Sequence, residues 1–214
     1  MTITRELSER AKVPLVVEVS DSTGKYQMFN TGSVEAEVGE FLYGLVRMIK
    51  PQAVLETGLY KGWSGAYIAE ALKENEFGHL DTIEIESQHI NSSQGLFGQL
   101  GLDSWVTIYD ISSLEFTPKK VYNLFFLDTE PQIRFSELNR FWDYLRPGGY
   151  ILIHDLHPHL ANRQPPWEDY VNLIGDKIKS YELIVITFQT PRGLVLMQKV
   201  SPEMGAYKLL KGFE

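Results

Sequence analysis

The sequence predicts an α/β protein with a doubly wound, mostly parallel seven-stranded sheet, helices on both faces and an antiparallel final strand. Three observations support this fold class. From residue 53 onward, short apolar runs alternate with segments of helical periodicity, which is typical of a parallel sheet. A glycine-containing turn follows the first of these runs. The last two runs are separated only by a turn around Pro191 and Gly193, so they must be antiparallel neighbours.

The elements follow in order from residue 34. A helix is predicted to begin there, with Ser33 as its N-cap, because Val38, Leu42 and Leu45 recur at helical spacing; Pro51 follows its end. The predicted strands are 53–57, 80–85, 105–109, 121–127, 150–154, 182–188 and 194–199. The predicted helices between them are 63–73, 88–100, 135–145 and 167–178.

The chain before residue 34 has no strong periodicity, and a short strand within 13–19 is the only candidate element there. We expect residues 1–33 to form an N-terminal arm or cap and residues 34–214 to form the main domain. An arm that crosses to a second copy would make the protein a homodimer.

Composition excludes several classes of partner. The 20 basic and 28 acidic residues give a net charge of −8, so we expect no nucleic acid to bind. Cysteine is absent, which excludes disulfides and thiolate chemistry. No apolar run approaches the ~20 residues of a membrane span, and the N-terminus does not have the pattern of a signal peptide. We therefore expect a cytoplasmic protein with no membrane contact.

The turn after the first strand has the features of a nucleotide-type ligand site. Gly58 and Gly62 allow a tight turn and a close approach of the next helix. In the dinucleotide-binding fingerprint a second glycine would stand at Tyr60, so a pyrophosphate would be crowded here. A ligand without phosphates fits better, and a nicotinamide oxidoreductase is disfavoured. A tight turn that binds no ligand is the alternative.

Polar side chains also follow the other predicted strands, at the edge where such sheets bind ligands. Glu84 ends the second strand at the distance expected of a partner for two ribose hydroxyls, although a solvated charge is the alternative. The other candidates at this edge are Glu56, Tyr60, Ser64, Glu86, Asp110, Ser112, Ser113, Asp128, Thr129, Glu130, His154, Asp155, His157 and His159.

Five segments together resemble the successive motifs of a known family. They are residues 54–64, 82–86, 127–128, 145–149 and 153–155. These segments resemble those of class I S-adenosylmethionine-dependent methyltransferases, and in particular the small-molecule O-methyltransferases of the catechol and caffeoyl-CoA type and their bacterial natural-product relatives. The resemblance covers about residues 34–199. It implies a Rossmann-like methyltransferase fold and the transfer of a methyl group to a small-molecule acceptor, at a hydroxyl oxygen.

The resemblance also implies which residues bind S-adenosylmethionine. Gly58 and Tyr60 would pack against its methionine part, and Ser64 would bind its carboxylate, which the helix dipole also favours. Glu84 would accept hydrogen bonds from both ribose hydroxyls. The remaining expected cofactor-binding residues are Glu56 and, at the adenine edge, Ser112 and Ser113.

A divalent metal such as magnesium is implied only in part. Asp128 and Asp155 match two ligands of the metal-dependent members, but the third position is Leu156, which cannot coordinate an ion. Pro131 stands where catechol-type enzymes carry a lysine base. Whether a metal is bound is therefore open, and the flanking Glu130, His154 and His157 are candidate replacement ligands.

Without a metal, a side chain would have to act as the base. The candidate catalytic residues are Asp155, His157 and His154, since an imidazole titrates near neutral pH and a carboxylate can orient it. These histidines are equally compatible with a surface loop and a strand end. The alternative function is a non-catalytic cofactor-binding or scaffolding domain, and the missing lysine and metal ligand favour it.

Overall fold

The computed structural model describes residues 2–20, 24–156 and 183–200. The N-terminal segment contains helix α1 (Ile3–Ala11) and a hairpin of β1 (Val17–Ser20) and β2 (Lys25–Met28). The other helices are α2 (Ala36–Ile49), α3 (Trp63–Asn75), α4 (Ser87–Leu100) and α5 (Pro131–Phe141). The strands of the main sheet are β3 (Ala53–Thr57), β4 (His79–Glu84), β5 (Val106–Asp110), β6 (Tyr122–Leu127), β7 (Leu145–His154), β8 (Leu183–Phe188) and β9 (Leu194–Lys199).

The main sheet confirms the predicted fold class. Its seven strands are ordered β5-β4-β3-β6-β7-β9-β8. β3 through β7 pair in parallel, whereas β9 lies antiparallel between β7 and β8. The chain leaves the central β3 toward β4 on one side and later returns to β6 on the other. This change of direction opens a crevice at the carboxyl ends of β3 and β6, where ligands bind in such sheets.

Side chains of each central strand alternate between two apolar layers. Val54 of β3 packs with Leu42 and Ile68, so α2 and α3 cover one face of the sheet. Leu55, the next residue, packs on the opposite face with Leu138 and Phe141 around α5. This is the period of two expected of a strand that is buried on both faces. None of the helices in the described ranges is long and apolar enough to span a membrane.

Several boundaries of helices and strands differ from the sequence-based prediction. α2 begins at Ala36, and the Ser33 hydroxyl bonds to the backbone of Asn30 in the preceding turn, so Ser33 is not its N-cap. α5 begins at Pro131, four residues earlier than predicted, because proline is well tolerated in the first helical turn. β7 begins at 145 rather than 150, with the Pro-Gly-Gly segment inside it. The helix predicted over 167–178 lies outside the described residues.

The N-terminal segment packs on the domain and contains a helix that was not predicted. Leu7 of α1 is fully buried among residues of α3 and α4, and the Phe29 ring stacks on Trp63 at 3.5 Å between centroids. Thr4 and Tyr67 share a 2.8 Å buried hydrogen bond. The segment is thus a cap that extends the core rather than an exposed arm. The division at residue 33 and the homodimer stay predictions.

Candidate active site

A cavity of about 500 Å³ lies at the carboxyl ends of the parallel strands. Along the sheet it runs from Ser112, after β5, past Glu84 and Tyr60 to Asp128 and Asp155, which follow β6 and β7. Most of the predicted strand-end residues that the structure describes line this cavity, namely Gly58, Tyr60, Glu84, Glu86, Ser112, Ser113, Asp128, Thr129, Glu130 and Asp155. The volume is within the range of small-molecule and cofactor sites.

The turn between β3 and α3 approaches the end of β6 very closely. Gly58 has φ +80°, and a Cβ there would overlap the carbonyl oxygen of Asp128. Gly62 has φ +86°, and a Cβ there would press on Ser93. Tyr60 adopts a positive φ of 49° although it is not glycine. These backbone conformations allow the turn to pass close to Asp128 and Ser93, and the cavity lies beside the turn.

Glu84 is held in place at the end of β4 by backbone donors. Its Oε2 accepts a 2.8 Å hydrogen bond from Tyr60 N, and its Oε1 accepts bonds from Ile85 N and Glu86 N at 2.8 and 3.0 Å. The carboxylate lines the cavity and is 9% exposed. It is therefore oriented in advance, and since three of its about four lone-pair sites are in use, one on Oε2 is left for a ligand hydroxyl.

Glu56 and Ser64 lie beneath the turn and do not line the cavity. Glu56 is fully buried and accepts a 2.7 Å hydrogen bond from Thr82 Oγ1. Burial raises the pKa of Glu56 to about 7, although the nearby hydroxyls of Ser64 and Thr82 oppose the rise. The Ser64 side chain thus faces Glu56, and the direct cofactor contacts expected of both residues stay predictions.

The two serines after β5 line the cavity. Ser112 Oγ accepts a long bond of 3.3 Å from Leu114 N within a turn, and Ser113 is buried next to Glu137. Sequence analysis missed Glu137, which is fully buried in α5. Its Oε2 accepts bonds from Thr57 Oγ1 and Thr129 Oγ1 at 3.0 and 2.9 Å, which ties α5 to the ends of β3 and β6.

His154 lies between two carboxylates under the far end of the cavity. It is fully buried, with Nδ1 3.1 Å from Asp128 Oδ1 and Nε2 2.7 Å from Glu35 Oε2. Burial alone would lower the pKa of His154, but Asp128 and Glu35, aided by Asp155, raise it to about 10. The ring is therefore an imidazolium at neutral pH, and both its N–H groups are in use. This arrangement does not support His154 as the catalytic base.

Two arginines that sequence analysis missed face the carboxylates of Asp128 and Asp155. We call the region around these two aspartates the corner. Nε and Nη2 of Arg192 lie 2.6 and 2.7 Å from the two oxygens of Asp155. Arg134 Nη2 lies 3.4 Å from Asp128 and 3.5 Å from Asp155, and its Nη1 donates to the carbonyl of His154. Arg134, in α5, is 2% exposed. Arg134 lies within α5 and Arg192 in the turn between β8 and β9, and neither position has a sequence pattern that predicts a site residue.

Asp155 is also poorly suited to act as a base. It has a positive φ of 57°, which places its side chain against the arginines. Burial raises the pKa of Asp155, but the charges of His154, Arg192 and Arg134 outweigh burial and lower it. These cations thus hold the carboxylate in its ionised form, and the catalytic role expected of Asp155 stays a prediction.

The metal expected at Asp128 and Asp155 fits these side chains poorly. Ligand atoms of Asp128, His154 and Asp155 do lie within 4.8 Å of one another. However, each carboxylate already faces cationic groups, and a cationic imidazole offers no lone pair to a metal. Leu156, at the third ligand position, is buried in the apolar core. The cations around Asp128 and Asp155 therefore disfavour a divalent ion at this corner as the side chains are arranged.

The remaining predictions of this region concern residues that the structure does not describe. His157 and His159, which follow β7, and Glu182 at the predicted start of β8 lie outside the described residues. The catalytic role expected of His157 therefore stays a prediction.

Comparison with known proteins agrees with this geometry. Residues 55–156 match the family model of a methyltransferase domain. The chain is 29% identical over 127 residues to a protein of Mycobacterium sp. (strain JLS) provisionally named an O-methyltransferase; the match covers 58% of this chain and 57% of that protein. A catechol O-methyltransferase of Niastella koreensis is 29% identical over 104 residues, which are 46% of each chain. The chain thus spans about half the length of these relatives.

Solved structures show the same fold. The O-methyltransferase of Bacillus cereus, in complex with S-adenosylhomocysteine, has a TM-score of 0.69 and 17% identity over 92% of this chain and 89% of that one. The O-methyltransferase TomG of Streptomyces achromogenes, in complex with S-adenosylmethionine, has a TM-score of 0.67 and 19% identity over 79% of this chain and 82% of that one. The match to a methyltransferase domain, the similarity to O-methyltransferases and the shared fold agree with the resemblance to the class I S-adenosylmethionine-dependent methyltransferases.

Proposed function

We propose that the protein binds S-adenosylmethionine in the strand-end cavity and transfers its methyl group to an oxygen of a small-molecule acceptor. The observation that carries the proposal is the position of Glu84. Its carboxylate is fixed by three backbone N–H groups at the wall of a cavity that continues past the Gly58 turn. A buried carboxylate with a free acceptor site on Oε2 is suited to accept a charge-assisted hydrogen bond from a ribose hydroxyl.

The order of residues along the cavity sets the direction of the bound cofactor. Ser112 and Ser113 line the end beside β5, Glu84 follows, and Asp128 and Asp155 line the end beside β7. Adenine at the serines and ribose at Glu84 direct the sulfonium toward Asp128. The acceptor would then enter from the side of Asp155 and Arg192.

The chemistry makes modest demands on the protein. A sulfonium methyl is already activated, so its displacement by an oxygen depends mainly on positioning. The acceptor oxygen gains the methyl group and loses its proton, and the sulfur leaves with the former bonding electron pair. The described residues supply orientation and positive charge rather than a strong base, because His154 is cationic and Asp155 is paired with Arg192. An acceptor that ionises readily suits this site.

Calorimetric titration with S-adenosylhomocysteine tests the cofactor site. We expect saturable binding to the wild-type protein and a loss of at least about tenfold in affinity for Glu84→Gln, since one charge-assisted acceptor is worth ~1.5–3 kcal/mol. Glu115→Gln, at an exposed carboxylate outside the cavity, is the matched control and should bind normally. If the wild-type protein does not bind, or both variants bind equally well, the proposed cofactor site is wrong.

Turnover distinguishes an enzyme from a scaffold. A panel of phenols and carboxylic acids is incubated with S-adenosylmethionine, and release of S-adenosylhomocysteine is measured. Product formation that is lost in Glu84→Gln supports the methyltransferase. Tight cofactor binding with no turnover on any acceptor would favour the non-catalytic domain.

A further inference from the structure

We infer that the guanidinium of Arg192, supported by Arg134, takes the place of a divalent ion at the corner formed by Asp128 and Asp155. The site would then work without a metal and select acceptors with an acidic oxygen. This inference deepens the proposed function, but its first test measures metal binding and does not depend on turnover.

Arg192 is held at three points. Its Nη2 donates a 2.7 Å hydrogen bond to Oδ2 of Asp155, and its Nε lies 2.6 Å from Oδ1 as an ion-pair contact without hydrogen-bond geometry. Its Nη1 donates a 2.8 Å hydrogen bond to the carbonyl of Ser33, in the segment that precedes α2. The turn that carries it is closed by a 3.1 Å bond from Gly193 N to the carbonyl of Thr190. The cation is thus fixed by the fold and is not a mobile surface charge.

Arg134 closes the corner from the other side. Its guanidinium is buried beneath Asp128 and Asp155 and is attached to the backbone of His154. It comes from α5, so the two arginines reach Asp155 from different elements, and Arg134 also contacts Asp128. In the described part of the chain, Oδ2 of Asp155 faces both guanidiniums and Oδ1 faces Nε of Arg192.

Both aspartates of the corner already face a guanidinium. Arg134 lies 3.4 Å from Asp128 and 3.5 Å from Asp155, and Arg192 lies 2.6 Å from Asp155. A divalent ion between Asp128 and Asp155 would lie within a few ångströms of these cations and would be repelled. It would also have to displace Arg192 from Asp155, because Nε of Arg192 lies 2.6 Å from Oδ1 of Asp155 and Nη2 donates a hydrogen bond to Oδ2.

Arg192 also borders the cavity and is 25% exposed in its side chain. Hydrogen bonds to Asp155 and Ser33 use one N–H on each terminal nitrogen, so within the described residues the second N–H on each can serve a ligand. Arg192 lines the cavity at the end assigned to the acceptor. A fixed cation there favours the ionised form of an acceptor oxygen, which is the task that a metal performs in metal-dependent enzymes.

Manganese binding provides the direct test, because free Mn²⁺ has a strong electron paramagnetic resonance signal that decreases on binding. The wild-type protein, saturated with S-adenosylhomocysteine and also without it, is titrated with Mn²⁺. We expect no stoichiometric binding up to about 1 mM, a range that covers weak protein sites for hard divalent ions. One bound Mn²⁺ per chain that is lost in Asp155→Asn would overturn the inference.

Arg192→Met tests whether the arginine itself takes the place of the ion. Removing the guanidinium frees both oxygens of Asp155, so we expect this variant to gain Mn²⁺ affinity by about tenfold or more. Arg146→Met, at an exposed arginine of β7, is the matched control and should bind no better than the wild type. A variant that is folded by circular dichroism and gains no affinity contradicts the role given to Arg192. If it does not fold, the wild-type titration still decides whether the corner is metal-free.

Turnover supplies a second readout once an acceptor is found. Wild-type activity should be unchanged by a chelator, and Arg192→Met should raise the KM for an acidic acceptor more than tenfold while S-adenosylhomocysteine binding stays within twofold, estimates based on the loss of a charge-assisted bond. Inactivation of the wild type by a chelator, with recovery on adding Mg²⁺, would contradict the inference. Failure of the proposed function is separate, because it would appear as loss of cofactor binding.

Discussion

Nε2 of His154 donates a 2.7 Å hydrogen bond to Oε2 of Glu35, a residue 119 positions earlier in the chain, and both side chains are fully buried. Glu35 immediately precedes α2, whereas His154 ends β7. On its other side the imidazolium bonds to Asp128, which lines the cavity. The segment before α2 is thereby joined to the acceptor end of the site through one buried cation.

Replacing Glu35 with glutamine should destabilise the protein. The change removes one carboxylate from a buried charge pair and leaves the imidazolium less well compensated, which we expect to cost about 3 kcal/mol in the free energy of unfolding. Urea denaturation measures the effect. Glu37→Gln, an exposed carboxylate in the first turn of α2, should change stability by less than about 0.5 kcal/mol. Equal effects of the two substitutions would contradict the structural role given to Glu35.

The buried Glu56 should make stability depend on pH in a defined direction. Its pKa is raised from 4.5 to about 7 by burial, so the folded state holds a proton that the unfolded state releases at lower pH. This contribution is fully present below pH 4.5 and is lost as the pH rises through about 7. We therefore expect Glu56→Gln, which cannot ionise, to gain stability relative to the wild type by about 3 kcal/mol between pH 4.5 and 8.

Urea denaturation of both proteins over this pH range measures the difference. Glu115→Gln, at an exposed carboxylate, should show no comparable trend between pH 5 and 8. A constant difference between wild type and Glu56→Gln would show that Glu56 titrates normally in the folded protein.

Much of the fold could be predicted because it depends on local patterns. Buried strands such as 53–57 and 122–127 are short apolar runs, and the β8–β9 hairpin follows from a turn too short for a crossover. The exception is α1, whose buried residues Thr4, Leu7 and Ala11 do recur at helical spacing but include only one large apolar side chain. Its position depends on contacts with α3 and α4 that only the folded chain creates.

The sequence predicted those residues of the candidate site that lie at or directly after the end of a strand. Glu84, Ser112 and Asp128 line the cavity as expected, because parallel strands bring their carboxyl ends to one edge. Arg134 and Arg192 could not be found in this way. Their roles depend on long-range pairing with Asp155 from a helix and a hairpin turn, and neither has a characteristic spacing in the sequence.

Replacing Gly58 with alanine should impair both folding and cofactor binding. The residue has φ +80°, and a Cβ would overlap the carbonyl of Asp128, so the turn and the end of β6 must separate. We expect a loss of about 2 kcal/mol or more in the free energy of unfolding. We also expect weaker binding of S-adenosylhomocysteine, which calorimetry measures.

Gly95→Ala is the contrasting control for Gly58. Gly95 lies within α4, and a Cβ there would meet nothing within 4 Å. Alanine should therefore stabilise the helix by up to about 1 kcal/mol and leave binding unchanged. If both glycines tolerate alanine equally, the close approach at Gly58 is not a constraint in solution.

Truncating Leu7 to alanine tests whether the N-terminal segment belongs to the core. The side chain is fully buried in the cluster that contains Phe29 and Trp63, so its removal leaves a cavity among residues of three elements. We expect a loss of about 2–5 kcal/mol in the free energy of unfolding, measured by urea denaturation. Val16→Ala, at an apolar residue that is 66% exposed, should cost less than about 0.5 kcal/mol. An equally small loss for Leu7→Ala would mean that α1 is not docked in solution. A large loss would mean that α3, and with it the helix that follows the Gly58 turn, depends on the first residues of the chain for its packing.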